Sequence, residues 1–134
     1  MPMFQGRRLR AAMLAAVIST AILTPAFADV SDYEFQLVES VAKVGEAVLA
    51  VRLVDKRTSK AVPDAVIYAT RIDMAPDGMP TMSSAIASTS SDQPGVYRFK
   101  TKLTMEGGWR LSLAAKVQGE TGTVEGKLVL QAKP

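Results

Sequence analysis

The chain has 134 residues, of which 16 are lysine or arginine and 13 are aspartate or glutamate, and it contains no cysteine and no histidine. It therefore lacks disulfide bonds, a thiolate nucleophile and an imidazole for acid–base catalysis. No Ser–Lys pair, paired-carboxylate spacing or glycine-rich phosphate loop stands out, so we expect a protein that is not an enzyme.

Residues 1–28 have the pattern of a secretory signal peptide. Three arginines within residues 7–10 precede an apolar stretch over residues 11–23, and the small residues Ala26 and Ala28 follow. An uncleaved membrane anchor is the alternative, but 13 apolar residues are fewer than the about 20 that span a bilayer. We predict cleavage after Ala28, export to the periplasm and no membrane insertion of the remaining chain.

Cleavage changes the charge of the protein. Removal of residues 1–28 takes away three arginines. The remaining 106 residues, residues 29–134, contain 13 basic and 13 acidic side chains. This length suits one domain with one core. A neutral domain gives no reason to expect nucleic acid or an anionic membrane as a partner.

The first half of residues 29–134 alternates between apolar and polar residues, which is typical of β-strands. The pattern begins at Tyr33 and predicts a second strand from the alternation of residues 48–53, which ends at the polar turn 55–60. A third strand is predicted over residues 65–72. A polar turn between strands indicates a hairpin-like connection.

The second half continues the alternation. A short fourth strand is predicted over residues 83–88, although residues 83–91 also fit a mobile flap. Residues 96–103 should place Phe99 inward and Lys100 outward, and the longest stripe, residues 109–117, should be a central strand. A hairpin turn and a last strand over residues 124–130 follow. About seven short antiparallel strands predict an all-β, immunoglobulin-like β-sandwich.

Methionines are concentrated after the third strand. Met74, Met79 and Met82 lie in one Pro/Gly-rich segment, and Met105 precedes a Gly–Gly pair after the fifth strand. Thioether sulfur is a soft, neutral ligand that suits Cu(I) and, by the same softness, Ag(I). We predict that Met74, Met79 and Met82 are metal ligands and that Met105 is a candidate fourth ligand.

The same residues have a structural interpretation, which the sequence leaves open. Methionine fills irregular gaps and often packs at the end of a core. Trp109 is expected to be a core anchor with its indole N–H bonded to backbone, or else an aromatic face over a bound cation. Asp73 and Asp77 are expected to cap the turn, because two carboxylates alone make a poor site for a harder ion.

Four segments carry a family resemblance. They are residues 58–65, 74–82, 94–99 and 105–111, and they include Gly78-Met79-Pro80-Thr81-Met82 and Met105-Glu106-Gly107-Gly108-Trp109. In this order they resemble the YtkA-like domain, which is related to the periplasmic part of FixH-like proteins. The resemblance implies an immunoglobulin-like sandwich and an association with copper handling, beside heavy-metal efflux systems or in the assembly of copper oxidases.

The resemblance also implies roles for individual residues. It points to Met74, Met79 and Met82 as ligands, Met105 as a further ligand and Trp109 as a structural neighbour, and the missing histidines argue against Cu(II). The expected partner is an envelope efflux or copper-delivery protein that receives the ion. The alternative is a metal-free adaptor whose methionines form an adaptable contact surface for an envelope or efflux complex.

Overall fold

The computed structural model describes residues 29–134, and the predicted signal peptide lies outside them. Ten strands make up most of this part of the chain. They are β1 (Tyr33–Leu37), β2 (Val41–Lys43), β3 (Gly45–Asp55), β4 (Lys60–Ala61), β5 (Ala65–Met74), β6 (Met79–Ser84), β7 (Ile86–Thr89), β8 (Val96–Leu103), β9 (Gly107–Val117) and β10 (Val124–Lys133). Two 3₁₀ turns, Val30–Asp32 and Ala75–Asp77, are the only helical elements in residues 29–134. Neither of them approaches the length that a membrane span requires.

The strands form two sheets. The first sheet has the order β1-β3-β8-β7, with the short β4 also paired to β3, and the second has the order β2-β10-β9-β5-β6. All pairs are antiparallel except β2 with β10, which is parallel. The first strand segment thus begins in one sheet at β1 and continues in the other at β2.

This order is that of an immunoglobulin-like β-sandwich. One sheet contains the first, second, fifth and fourth main strands, and the other contains the seventh, sixth and third. The fold class predicted from the sequence is confirmed. The polar turn after β3 also forms the expected hairpin, because Asp55 pairs with Lys60 of β4.

Three details differ from the sequence prediction. The predicted fourth strand, residues 83–88, is split between β6 and β7 at Ala85, where the chain crosses from one sheet to the other. The strands β2 and β4 are two or three residues long, which is too short to show a period. The short β2, which the sequence did not predict, runs parallel to β10, whereas the predicted strands all pair antiparallel.

The core lies between the sheets and is built around β9. Trp109, Leu111, Leu113, Ala115 and Val117 alternate along this strand and are all buried. The strand has β10 on one side and β5 on the other, as expected for a central strand. Facing it from the first sheet are the buried residues of β1, β3 and β8, namely Phe35, Leu49, Val51, Leu53, Phe99 and Leu103.

Tyr97 fastens the turn that leads into β5. Its ring packs against the core, its hydroxyl donates to the carbonyl of Val62 at 2.7 Å, and it accepts from the N–H of Ala65 at 3.1 Å. Burial raises the pKa of this phenol above its ordinary value. The hydroxyl therefore holds both ends of the Pro63–Asp64 segment as a neutral group.

We expect Tyr97→Phe to lower the free energy of unfolding by about 1–2 kcal/mol, because two backbone groups lose their shared partner. Urea denaturation measures this change. Tyr68→Phe is the matched control, since the Tyr68 hydroxyl contacts only the exposed Thr123 hydroxyl at 3.0 Å and should matter by less than about 0.5 kcal/mol. Equal effects of the two changes would contradict the assigned role.

Candidate metal centre at the methionine rim

Met74, Met79, Met82 and Met105, together called the methionine rim, lie at one end of the sandwich. β5 ends at Met74, whose Cα partner across the turn is Met79, the first residue of β6. Because Asp73 pairs with Arg110, the start of β9 lies beside the end of β5. The connection that carries Met105 therefore reaches the same end as the β5–β6 turn.

The predicted methionine loop is mostly strand. Arg71 to Met74 belong to β5 and Met79 to Met82 belong to β6, so only residues 75–78 form the turn. The pairing of β5 with β6 is irregular between Asp73 and Met74, because Asp73 pairs with Ser83 and Met74 pairs with Met79. Residues 80–82 of β6 therefore have no paired residue in β5 and form a bulge, which contains Met82.

Solvent exposure differs sharply along the rim. Met74 is 0% exposed and belongs to the core, and Met79 is partly buried against it. Met82 and Met105 are 39% and 40% exposed. The packing interpretation therefore holds for Met74, whereas Met82 and Met105 offer their side chains to solvent.

A buried carboxylate supports the turn from the opposite face of the sheet. The side chains of Ile72 and Met74 enter the core, so alternation directs Asp73 outward, yet Asp73 is 0% exposed. Its Oδ2 accepts from Arg71 Nε at 3.0 Å and from Arg110 at 3.2 Å, and its Oδ1 accepts from the N–H of Ala75 at 2.9 Å. The two arginines cover a charge that would otherwise face water.

The same network reaches both strands of the turn. Arg71 also donates to the carbonyl of Pro80 at 2.9 Å, so one cluster fixes Ala75 before the turn and Pro80 after it. Burial raises the pKa of Asp73, but the hydrogen bond from Ala75 and the guanidinium groups of Arg110 and Arg71 outweigh it. The pKa of the Asp73 carboxyl therefore lies below its ordinary value.

Asp77 joins the turn to the start of β9. Its Oδ2 accepts from the N–H of Gly108 at 3.1 Å. A Cβ at Gly107 would overlap the Asp77 carboxylate, and a Cβ at Gly108 would lie 2.8 Å from Pro76 Cβ. This close approach requires two residues without side chains.

Asp73 caps the turn as predicted, since it accepts from Ala75 two residues later. Asp77 does not cap its own turn, and its bond to β9 corrects that expectation. Met74 also lies against the start of β9, since a Cβ added at Gly107 would be 3.1 Å from the Met74 methyl group. The turn is thus packed directly against the start of β9, which follows Met105 by two residues.

Trp109 ties the rim to the core. Its side chain is fully buried, and its indole Nε1 donates to the carbonyl of Met105 at 3.0 Å. The expected role as a core anchor with a backbone hydrogen bond is confirmed. The anchor also determines where the backbone of Met105 lies, although the role of its ring over a cation stays a prediction.

The donor set suits a soft ion better than a hard one. Residues 29–134 contain no group of three or more histidine, cysteine, aspartate or glutamate side chains that could hold a metal ion. The carboxylate of Asp73 is already paired with two guanidinium groups. Thioethers are the remaining soft donors at this end of the domain.

Sequence reasoning missed Arg71 and Arg110, which are essential to the shape of the turn. The available signal was that both arginines lie on the solvent side of predicted strands, beside the end of the third strand. Their pairing with Asp73 depends on the register between β5 and β9, which a single sequence does not display.

Comparison with known families identifies the domain. The model of the YtkA-like family matches residues 27–114, which include the whole methionine rim and Trp109. The chain belongs to the YtkA-like family. No curated protein matches the chain at a significant level.

Two solved structures are similar in fold. One is the filamin domain of Lin-41, with a TM-score of 0.48, 16% identity and coverage of 74% of this chain and 91% of that chain. The other is the C-terminal domain of ZirS, with a TM-score of 0.45, 10% identity and coverage of 84% and 75%.

We expect Asp73→Asn to lower the free energy of unfolding at neutral pH by about 1–3 kcal/mol, because the arginines lose a charged partner. The folded-state pKa of Asp73 is depressed, so its stabilisation is present above the unfolded value of about 3.9 and disappears as the pH falls through the folded value. The gap between wild type and Asp73→Asn should therefore narrow below about pH 4.

Urea denaturation over a pH series measures this gap, and Asp92→Asn, a change of an exposed carboxylate, is the control. A gap that stays constant from neutral to acidic pH would show that the charge of Asp73 does not stabilise the turn.

Proposed function

We propose that this YtkA-like domain is a periplasmic accessory protein that binds Cu(I), and by the same chemistry Ag(I), at the methionine rim. The observation that carries the proposal is the gathering of all four methionines of residues 29–134 at one end of the sandwich. The association with copper handling is what the family resemblance implies. The role is binding and transfer, without catalysis.

The differing exposure of the rim suits a transfer site. Met74 and Met79 border the core, where water competes weakly for an ion, while Met82 and Met105 lie where a partner can reach. Thioethers carry no charge, so they do not offset the cost of removing a cation from water as thiolates do. Such a site binds a soft ion and releases it to a stronger donor set.

The partner class follows from the same chemistry. A receiving protein needs soft ligands of its own and access to the exposed side of the rim. We therefore propose an envelope efflux component or a copper-delivery protein as the partner. Because residues 29–134 carry equal numbers of basic and acidic side chains, the sulfur donors and the surrounding surface would determine recognition, rather than long-range charge.

We expect Met79→Leu to weaken Cu(I) binding by at least about tenfold, or about 1.4 kcal/mol, with a packing cost under about 1.5 kcal/mol. The double change Met82→Leu with Met105→Leu should weaken it further, with the unfolding midpoint nearly unchanged because both side chains are exposed. Competition titration against a Cu(I) chelator under anaerobic conditions measures the affinity. Val66→Met, which adds an exposed thioether near the start of β5, is the control.

Wild-type affinity in both rim variants would end the proposal that these sulfurs bind copper. A parallel titration with Ag(I) should show the same ranking of variants, because the thioether ligands suit both ions.

We expect Asp77→Ala to weaken Cu(I) binding roughly tenfold, because the turn loses its hydrogen bond to Gly108, three residues after Met105. Asp77→Asn keeps an oxygen acceptor for Gly108 and should retain most of the affinity. The same competition titration distinguishes the two variants. Equal affinity in Asp77→Ala and wild type would show that Met105 does not act together with the turn.

One observation favours a second function. Met82 and Met105 are exposed flexible apolar side chains on adjacent segments, which is also the composition of an adaptable protein-binding surface. In that case the domain would be a metal-free adaptor on an envelope or efflux complex. It would retain partner binding in the absence of copper, and Met→Leu changes would leave that binding nearly intact.

A further inference from the structure

One side of β5 is uncovered over most of its length. β9 pairs with β5 almost from end to end, but β6, on the other side, pairs only from Ile72 to Met74. At Ala85 the chain crosses to the first sheet, where it forms β7. Within residues 29–134, no strand therefore lies beside residues 65–71 on this side, which we call the open β5 edge.

The backbone of β9 shows which way the groups of β5 point. At the far edge of the same sheet, the N–H of Gln131 in β10 donates to Ser40, beside β2, at 2.8 Å. The N–H and C=O groups alternate in direction along a strand, so Leu130 faces β9 and its partner Trp109 faces back toward β10. Alternate residues of β9 point the other way, toward β5, beginning with Arg110.

The outward groups of β5 follow from this alternation. The residues of β5 that pair with the β5-facing positions of β9 point toward β9, namely Val66, Arg71 and Asp73. Their neighbours Ile67 and Thr70 therefore direct their N–H and C=O groups to the open β5 edge, and these four groups have no backbone partner within residues 29–134. Ala65 faces the same way, but its N–H is already used, because it donates to the Tyr97 hydroxyl.

A cavity opens inward from this edge. It has a volume of about 430 Å³ and is lined by Ile67 of β5 and by Tyr97 and Phe99 of β8. Ser88 of β7 and residues 91–95 line it as well. Ile67 packs against the core and Phe99 is only 1% exposed, so the cavity reaches the core itself. The two sheets are therefore not closed against each other on this side.

A strand placed beside the open β5 edge would pair with its backbone and fill the cavity. Directly opposed residues of neighbouring strands have their side chains on the same face, so the residue opposite Ile67 would point inward to the cavity. The residues next to it would lie on the outer face, near Val66 and Tyr68, which are 64% and 55% exposed. The added segment should therefore be apolar opposite Ile67 and apolar or aromatic beside it.

The features of the edge favour an extended segment over a folded domain. The inward side chains of an edge strand in a folded sheet already pack in their own core, as Phe35 of β1 does here, so they cannot enter a second cavity. The pairing of β5 is also irregular between Ile67 and Ala69, and such bulges disfavour pairing between two folded edges. A small apolar molecule would fill the cavity but leave the outward backbone groups unpaired.

We propose that the open β5 edge binds an extended segment of another protein by strand addition, with one apolar side chain of that segment in the cavity beside Ile67. The segment takes the position next to β5 that the chain leaves when it crosses at Ala85. The contact needs no metal, and it lies toward the start of β5, whereas the methionine rim lies at its end. Its failure would therefore leave the proposal of copper binding untouched.

Selection from a library of random linear peptides against the protein supplies the probe. The strongest peptide is then synthesised in two forms, each N-methylated at alternate residues. Only alternate N–H groups of an added strand face β5, so one form should bind at least about tenfold more weakly than the other. Fluorescence anisotropy measures both affinities. Equal affinities overturn the proposal, and so does a library that yields no peptide with a Kd below about 1 mM.

Hydrogen exchange locates the bound peptide on the protein. The amides of Ile67 and Thr70 should exchange more slowly in the complex, while those of Val66 and Arg71, which face β9, should change little. Unchanged exchange at Ile67 and Thr70 would show that the peptide lies elsewhere or fills only the cavity, and it would overturn strand addition.

Two neighbouring substitutions on β7 test the cavity. Ser88→Trp should weaken peptide binding at least about tenfold, because Ser88 lines the cavity and the larger side chain takes the space of the inserted group. Ala87→Trp is the matched control, since Ala87 is exposed and its side chain points to the opposite face of the strand. Circular dichroism confirms that both variants are folded.

Wild-type affinity in a folded Ser88→Trp variant counts against the proposal. Sedimentation velocity of the protein without peptide should show a monomer. Self-association that Ser88→Trp abolishes would assign the edge to a second copy and would overturn the proposed occupant.

Discussion

Burial of β9 between its neighbours and the facing sheet is the constraint on which the rest of the molecule depends. The chain has no cysteine, so no disulfide bond joins the sheets, and apolar burial must hold them together. Five alternate side chains of β9 enter the core, and Trp109 is the largest of them. The position of every element at the rim follows from the register of this strand.

Residues of β9 position both parts of the rim, the connection that carries Met105 and the turn between β5 and β6. The Trp109 indole holds the Met105 backbone, and the glycines that begin β9 receive Asp77 from the neighbouring turn. The register with β5 sets Arg110 beside Asp73, whose carboxylate fixes the start of that turn. Core packing and the candidate metal centre are therefore properties of the same strand.

Much of the fold could be predicted because β8 and β9 each have one buried and one solvated face. Period-two alternation reports that arrangement directly, so it predicts that Phe99, Trp109 and Leu111 lie in the core, and all three are buried. β2 and β4 were not predictable, because two or three residues contain no period. Ala85 was missed because a chain that crosses between sheets reverses its inward face within one residue, which blurs the pattern.

The candidate site was predictable in composition but not in arrangement. The methionines could be found from sequence, but the proximity of Met105 to the turn depends on which strand lies next to β5. The difference between buried Met74 and exposed Met82 depends on the irregular pairing at Asp73, which has no local signature. Long-range pairing decides both features, and one sequence without relatives does not contain it.

The uneven shielding of the four sulfurs has a consequence for the protein under oxidative stress. Peroxide or hypochlorous acid reaches exposed thioethers first and converts them to sulfoxides, which are polar and coordinate through oxygen as well as sulfur. Met82 and Met105 are exposed to such reagents, while Met74 is buried in the core. Damage would therefore begin at the outer side of the rim and leave the sandwich itself intact, and a methionine sulfoxide reductase would find its substrates at the surface.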